Sequence, residues 1–112
     1  MLAKKNRLTR NKDFDRVFKQ GKSAYGQFLG FKIGKNEDAK ARVAVIVSKK
    51  VSKRAVKRNR LKRQLLEIIR IDWLNKLAGL DLMIICLPAA KDANVEQLGA
   101  EVKSIFTRLN LK

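Results

Sequence analysis

Residues 49–77 read KKVSKRAVKRNRLKRQLLEIIRIDWLNKL, a dense basic run that continues into a long apolar pattern. The first part, residues 49–63, contains nine Lys or Arg and no acidic residue. Apolar residues then recur at the spacings of a single helix face: Leu61, Leu65, Ile68 and Ile69. The basic run is therefore part of a packed element, and so many like charges in one element favour a polyanionic partner.

Charge and composition indicate one basic, globular domain over residues 1–112. The net charge is +17, from 27 basic and 10 acidic residues, and 46% of the residues are apolar. A field of this sign favours nucleic acid, with an anionic membrane surface as the weaker alternative. The longest apolar run, Leu82–Ala90, has nine residues and includes Pro88, so it is too short to span a membrane.

The cysteine and histidine content excludes a disulfide framework and a Cys/His zinc site. Cys86 is the only cysteine, and the chain has no histidine. Because Cys86 stands within an apolar run, we expect it to be buried as a small hydrophobic residue. The basic start MLAKKNRL is not followed by an apolar signal core, and together these features predict the reducing cytoplasm.

Helix and strand patterns predict an α+β sandwich in which packed helices cover one sheet. The predicted helices are Asn11–Gln20, Arg54–Leu77 and one that begins at Asn94, and the predicted strands are Gln27–Ile33, Arg42–Val47 and Leu82–Leu87. An additional short strand near Ser23 is compatible with this order. Because both sides of Arg42–Val47 are apolar, we expect that strand to be central in the sheet.

Glycine and polar residues predict where these elements end. Thr9 or Asn11 can cap the first helix, Gly21 suits its end, and Gly79 is expected to end the long helix. Gly34–Lys40 is expected to form a polar turn. The last helix combines a capping-box pattern with one apolar face: Asn94 and Gln97, then Leu98, Val102, Ile105, Phe106 and Leu109.

The side chains needed for catalysis by the protein alone are missing or scattered. Without histidine, the usual general base of a nuclease is absent. Asp13 and Asp15 lie about 200° apart around their helix, and the other acidic residues are spread along the chain. A P-loop and a Gly-rich dinucleotide motif are also absent from the sequence. A self-sufficient enzyme is therefore the weaker hypothesis.

The long helix carries side chains suited to binding phosphate. At 100° per residue, one side of it presents groups away from the apolar stripe: Asn59, Arg63 and Arg70. Lys62 lies at the margin of that side. Arg58 lies nearer the apolar stripe but at the N-terminal end of the helix, where the helix dipole favours an anion. A merely solvated basic face is the alternative, and it suits Lys53 and Lys57 well.

Three phenylalanines are candidates for stacking on bases: Phe14, Phe18 and Phe31. Two of them share a helix face, and packing in the core is the ordinary role of such a pair. A short helix beside a sheet that bears Phe31 could equally line a groove for unpaired bases. Spacing leaves both interpretations open. Trp73 and Tyr25 are expected to be structural.

The segment AVKRNRLKRQLLE, Ala55–Glu67, strongly resembles the signature of the bacterial ribonuclease P protein component. The resemblance extends to LTRNKDFDRVFKQGKS at Leu8–Ser23, to VAVIVSKKV at residues 43–51 and to DLMIICLPAA at residues 81–90. These segments occur in the family's order and cover most of the chain. The combination is far more specific than the RNR triplet alone.

This resemblance implies a single-domain α-β-β-β-α-β-α sandwich with a left-handed crossover, similar to domain four of elongation factor G. It implies the protein subunit of an endoribonuclease that assembles as one protein with one catalytic RNA. The complex would remove the 5′ leader of precursor tRNA, using Mg²⁺ held mainly by the RNA. No DNA or membrane partner is implied.

The resemblance also assigns two groups of site residues. The residues implied to contact the catalytic RNA are Arg58, Asn59, Arg60, Lys62 and Arg63. The residues implied to form the leader-binding cleft are Phe14, Phe18, Phe31, Ser48, Lys49 and Lys50. One departure is Leu66, which stands where the family usually has a basic residue before the position of Glu67. Arg70, one turn later, is expected to compensate in part.

Two other functions are weighed beside this one. A structural ribosomal RNA-binding protein would have the same composition, so charge alone does not separate it from the leading hypothesis. A DNA-binding helix-turn-helix module fits less well because three strands are predicted.

Overall fold

The computed structural model describes residues 2–37 and 39–110. Its helices are α1 (Asn11–Gln20), α2 (Ala55–Asp72) and α3 (Val95–Arg108), and its strands are β1 (Lys22–Tyr25), β2 (Leu29–Lys35), β3 (Arg42–Ile46) and β4 (Leu80–Cys86). The α-β-β-β-α-β-α order is confirmed, including the short strand near Ser23. Asp38, within the predicted polar turn, lies outside the described residues. No helix of the described part combines the length and apolar character needed to cross a membrane.

The four strands form one mixed sheet in the order β1-β2-β4-β3. Strand β2 is antiparallel to β1 and β4, whereas β3 is parallel to β4. Helix α2 therefore crosses between two parallel neighbours, and the left-handed sense of this crossover stays a prediction. The expectation that β3 is central is wrong, because β3 lies at the edge of the sheet.

Strand β3 is apolar on both sides because other parts of the chain cover both of its faces. Val43 belongs to the main core, and Ala44 packs against a second, smaller core on the opposite face. The N-terminal segment also covers its free edge, where Arg7 forms a parallel bridge with Val43. The backbone N–H of Leu8 donates to the Val43 carbonyl at 3.0 Å. A strand that is apolar on both sides is therefore covered on both faces of the sheet. This pattern does not show that the strand is central.

The sheet has a different hydrophobic core on each face. The main core contains inward residues of β2 and β4 with the apolar faces of α2 and α3: Leu29, Phe31, Ile33, Leu82, Ile84, Leu61, Leu65, Ile69, Leu98, Val102, Ile105 and Phe106. Leu8, Val17 and Met83 form the smaller core beneath α1. The predicted apolar faces of α2 and α3 are thus confirmed, as is the burial of Cys86.

The ends of α1 differ in how well the sequence predicts them. Arg10 occupies the N-cap position and makes no capping bond through its side chain, so the predicted Thr9 or Asn11 cap is wrong. Gly21 does end the helix. A Cβ atom at Gly21 would lie 2.5 Å from the Val17 carbonyl oxygen and 2.7 Å from the Ile33 carbonyl oxygen. The helix can therefore end this close to β2 only with glycine.

Helix α2 stops at Asp72, earlier than the predicted Leu77. Trp73 leaves the helical conformation at φ −126°, and its ring lies 4.5 Å from that of Phe106. A 3₁₀ turn, Leu74–Leu77, follows. Packing of the tryptophan thus overrides a helical pattern that continues through it.

At the start of α3 the predicted capping box of Asn94 and Gln97 is present, with bonds of 2.8 and 2.9 Å.

A buried ion network fixes α1 against the sheet. Asp81 is completely buried and accepts hydrogen bonds from Arg42 at 2.8 and 2.9 Å, from Asn36 at 2.8 Å, and from Arg16 on α1. Arg42 also pairs with the nearly buried Asp13 of α1 at 3.2 Å. Buried carboxylates of this kind are tolerated because several cationic donors surround them. The network therefore sets the position of the aromatic residues on α1.

Candidate nucleic-acid interface

One row of residues on the α1 side of the sheet is partly open to solvent, with its exposed residues at the two ends. Tyr25 pairs with Gly30, Gly30 with Ile85, and Ile85 with Ile46, so the row crosses all four strands. Tyr25 is 50% exposed, Ile46 is 37% exposed, and Ile85 is partly buried. Side chains at paired positions lie on the same face of a sheet. This row is an apolar, partly aromatic surface that α1 leaves uncovered.

Helix α1 borders this row with two phenylalanines. Phe14 is partly buried and packs against the smaller core, whereas Phe18 is 50% exposed. We call the surface formed by this row, Phe14, Phe18 and Lys32 the open groove. The placement of Phe14 and Phe18 at a solvent-accessible surface agrees with their predicted role, and the binding role itself stays a prediction.

Phe31 does not line the open groove, and its assignment to the cleft is wrong. The side chain is completely buried on the opposite face of the sheet. Its ring meets that of Phe106 edge-on, with centroids 5.1 Å apart. A side chain with no exposed surface cannot stack on a base, so Phe31 belongs to the main core.

Two groove residues were missed by sequence reasoning: Tyr25 and Lys32. Tyr25 was expected to be structural, yet half of its side chain is exposed. The Lys32 ammonium lies 5.2 Å from the centroid of the Phe18 ring and 5.9 Å from that of Tyr25. Strand alternation could have found Lys32, since inward Phe31 requires Lys32 to face the other side.

The basic turn after β3 continues from the open groove. Ser48, Lys49 and Lys50 are all exposed, and they follow Ile46 by two to four residues. The turn is anchored by buried Val51, whose N–H donates to the Ser48 carbonyl at 3.1 Å. These three predicted residues therefore lie just beyond the C-terminal end of β3, next to Ile46 of the open groove.

The basic residues of α2 differ in their freedom to bind a partner. Asn59, Arg60 and Arg63 are exposed, and Lys62 is partly buried. Arg58 is also partly buried, and its guanidinium donates to the Ser52 carbonyl at 3.0 Å. Arg58 thus ties the first turns of α2 to the preceding loop. The sequence placed it correctly near the apolar stripe but did not reveal this contact.

These α2 residues surround the helix instead of forming one flat face. Arg60 lines a depression of about 470 Å³ between α2 and the start of α3, together with Lys57 and Lys91. Lys62 lies on the other flank, close enough for its charge to act on the Cys86 thiol. Burial raises the pKa of Cys86 to about 12, and Lys62 opposes that shift. Cys86 belongs to the main core, so this flank of α2 faces the side of the sheet opposite to Ile85 and the open groove.

Leu66 stands where a basic residue was expected from the resemblance, and its side chain is partly buried against the main core. Arg70, its expected substitute, forms a double hydrogen bond with Glu67 at 3.0 and 2.8 Å. These bonds hold the pKa of Glu67 at about 2. Arg70 is therefore already paired within α2, and its compensation for Leu66 stays a prediction.

The carboxylates of Asp13, Asp81 and Glu101 are committed to contacts within the protein. Asp13 and Asp81 pair with arginines. Glu101 on α3 accepts the backbone N–H groups of residues 27–29 at 2.6–2.8 Å. Among residues 2–37 and 39–110, no three His, Cys, Asp or Glu side chains come together as a metal site. The groups available on this surface are mainly cationic and aromatic.

Comparisons with known proteins identify the family of this chain. The family model Ribonuclease P matches residues 2–110. The chain is 39% identical over 110 residues to the ribonuclease P protein component of Pseudanabaena sp. (strain PCC 6903), covering 96% of this chain and 94% of that relative. It is 34% identical over 105 residues to that of Clostridioides difficile (strain 630), covering 93% and 91%.

Solved structures show the same fold. A Staphylococcus aureus RNase P protein, a mutant with defective mRNA degradation activity, has a TM-score of 0.88 at 26% identity, covering 97% of this chain and 92% of that one. The RNase P protein of Thermotoga maritima has a TM-score of 0.79 at 25% identity, covering 91% and 96%. The chain therefore belongs to the ribonuclease P protein family, the protein components of a ribonuclease complex that processes tRNA.

Proposed function

We propose that this chain is the protein subunit of a cytoplasmic ribonuclease P that removes the 5′ leader from precursor tRNA. One protein pairs with one catalytic RNA, and the RNA subunit breaks the phosphodiester bond. Membership of the family sets aside the ribosomal alternative. The observation that carries the proposal is the open groove, whose aromatic and cationic side chains lie on the face of the sheet beside α1 and are followed by a basic turn.

The two surfaces suit different parts of an RNA complex. The open groove presents the exposed rings of Phe18 and Tyr25, and stacking on such rings contributes about 1–3 kcal/mol per base. Only unpaired bases expose their faces, so this surface suits a single-stranded leader. The basic half of α2 presents guanidinium and amide groups, which suit the phosphates of a folded RNA.

Three carboxylates that are already paired with arginines support assigning Mg²⁺ mainly to the RNA. Asp81 and Asp13 are buried against arginines, and Glu67 is held by Arg70. A carboxylate already surrounded by cationic donors is a poor ligand for a second cation. The protein would contribute by lowering the repulsion between catalytic RNA and substrate.

The proposal is tested by reconstituting the chain with a bacterial ribonuclease P RNA. Dissociation constants are measured for precursor tRNA and for mature tRNA. We expect the precursor to bind more tightly than the mature tRNA. Phe18→Ala should lower the ratio of precursor affinity to mature affinity roughly 5- to 150-fold, because it removes one stacking contact. Ile71→Ala is the control, because it truncates a 66% exposed apolar residue in the last turn of α2, outside the groove. Equal affinity of the unsubstituted complex for both RNAs would contradict the leader assignment.

A further inference from the structure

Lys32 is a cation set between two aromatic rings on the exposed side of β2. Its ammonium lies 5.2 Å from the Phe18 ring, 5.9 Å from the Tyr25 ring and 3.1 Å from the Ser23 hydroxyl oxygen. Within residues 2–37 and 39–110, no carboxylate pairs with it. Its positive charge is therefore available to an anion that approaches over the rings.

Tyr25 is placed beside Lys32 by a glycine on the neighbouring strand. Gly30 is the cross-strand partner of Tyr25, and a Cβ atom there would lie 2.4 Å from Cε1 of the tyrosine ring. The ring can occupy this position over the backbone only because Gly30 has no side chain. Half of the tyrosine remains exposed, so the ring is supported by the sheet and still accessible.

Helix α3 holds the turn that follows Tyr25. The Glu101 carboxylate accepts the N–H groups of residues 27–29 at 2.7, 2.8 and 2.6 Å. Arg108 donates to the Tyr25 carbonyl at 2.9 Å. These bonds fix both ends of the turn, so Tyr25 is held in place before any ligand binds.

We propose that Phe18, Lys32 and Tyr25 form a subsite for one nucleotide of single-stranded RNA. The base stacks on an exposed ring, and the adjoining phosphate contacts the Lys32 ammonium. A nucleotide carries a π face and an anion a few ångströms apart, which matches the alternation of rings and cation here. This inference rests on the proposed function and assigns a contact to one position within the leader groove.

The test separates the charge of Lys32 from the stacking surface of Tyr25. The precursor-to-mature affinity ratio is measured at several salt concentrations in the reconstituted complex. Lys32→Met should lower the ratio and reduce the log–log salt slope by about 0.7, the value for one phosphate on a single strand. Tyr25→Ala should lower the ratio roughly 5- to 150-fold without changing the slope.

Lys35→Met is the matched control for lost charge. Lys35 lies on the same strand, is exposed, and stands an odd number of residues from Lys32, so its side chain is on the other face. We expect its ratio and slope to equal those of the unsubstituted complex. If Lys32→Met behaves like Lys35→Met while the unsubstituted complex still prefers precursor, the subsite is wrong and the groove stands. If the unsubstituted complex shows no preference, the proposed function itself fails.

A second measurement does not depend on any substitution. The chain has one tyrosine, so 3-fluorotyrosine gives a single ¹⁹F resonance at Tyr25. We expect a saturable shift of this resonance on titration of the full chain with a short single-stranded RNA. A duplex of the same sequence should produce a much smaller shift. An unchanged resonance at saturating single strand, or equal shifts with both RNAs, would overturn the subsite.

Discussion

Phe31 is completely buried and Phe18 is half exposed, although both are phenylalanines beside the same sheet. Truncation of a fully buried phenylalanine costs about 3–5 kcal/mol, from lost burial and the cavity left behind. We therefore expect Phe31→Ala to reduce the free energy of unfolding by that amount. Phe18→Ala should reduce it by about 1 kcal/mol, in proportion to its smaller buried area. Urea denaturation of both variants checks this, and equal losses would contradict the assignment of the two residues to core and groove.

Cys86 should make stability depend on alkaline pH. Burial raises the pKa of its thiol from 9.0 to about 12. Between these values the unfolded chain loses the proton and the folded chain keeps it, so the free energy of unfolding falls as pH rises from about 9 towards 12. Below pH 9 the thiol is protonated in both states and contributes no pH dependence. The slope is about 1.4 kcal/mol per pH unit within that window.

The measurement compares the unsubstituted chain with Cys86→Ala by urea denaturation at about pH 8 and about pH 10. Lysine ionisation affects both proteins equally, so the difference between them reports the thiol. We expect the unsubstituted chain to lose about 1.4 kcal/mol more than the variant over this range. Identical losses would show that the thiol is accessible to water in the folded state.

The contact between α3 and the β1–β2 turn is an element-scale feature that depends on Glu101. Glu101→Gln removes a charge-assisted acceptor from three backbone N–H groups. Hydrogen exchange at residues 27–29 should accelerate roughly 10-fold or more, since bonds to charged groups contribute about 1.5–3 kcal/mol. Exchange in β4 should stay slow. Glu96→Gln, an exposed carboxylate in the first turn of the same helix, is the control and should leave residues 27–29 unchanged.

The helices and helix ends that depend on residues close together in the sequence could be predicted from the sequence alone. The periodic apolar residues of α2 and α3 and the glycine after α1 each depend on a few neighbouring positions. The edge position of β3 depends on distant partners, because an N-terminal segment and α1 cover the strand. The early end of α2 depends likewise on Trp73 packing against Phe106, a contact between residues far apart in the chain.

In the candidate site, too, some features could be predicted from the sequence and others depend on contacts between distant residues. Exposure of Phe18 and of the turn at residues 48–50 followed from resemblance to the family. Phe31 was misplaced although it shares an apolar strand face with Leu29 and Ile33, a pattern that already indicated the core. Tyr25 was missed because its exposure depends on Gly30, which is its partner only after strand register is known.

At the scale of the whole molecule, the cationic field is concentrated where the chain's own carboxylates do not neutralise it. The net charge is +17, yet the partly buried arginines Arg16 and Arg42 are paired with the buried carboxylates of Asp13 and Asp81. The exposed arginines of α2 and the lysines of the turn after β3 supply the external field. Such a field attracts RNA over about one Debye length, roughly 8 Å at physiological salt.

This field predicts how the complex responds to magnesium. Arg60 and Arg63 are exposed on α2, so Arg60→Gln combined with Arg63→Gln removes two charges without disturbing the contact that Arg58 makes with Ser52. The slope of RNA affinity against salt, on logarithmic axes, should fall by about 1.8 if each arginine contacts one phosphate of a duplex region. Cleavage should then need more Mg²⁺ for half-maximal rate, because the ion must replace the lost cationic charge.

The matched control combines Lys4→Gln with Lys5→Gln, which removes the same charge from an exposed 3₁₀ turn outside both surfaces. Both double variants retain a net charge of +15, from +17 less two. If net charge alone drives the complex, the two variants will need equal additional Mg²⁺. If position matters, only the α2 variant will shift, and adding Mg²⁺ will restore its maximal cleavage rate. A permanent loss of rate at saturating Mg²⁺ would instead place Arg60 or Arg63 close to the reacting phosphate.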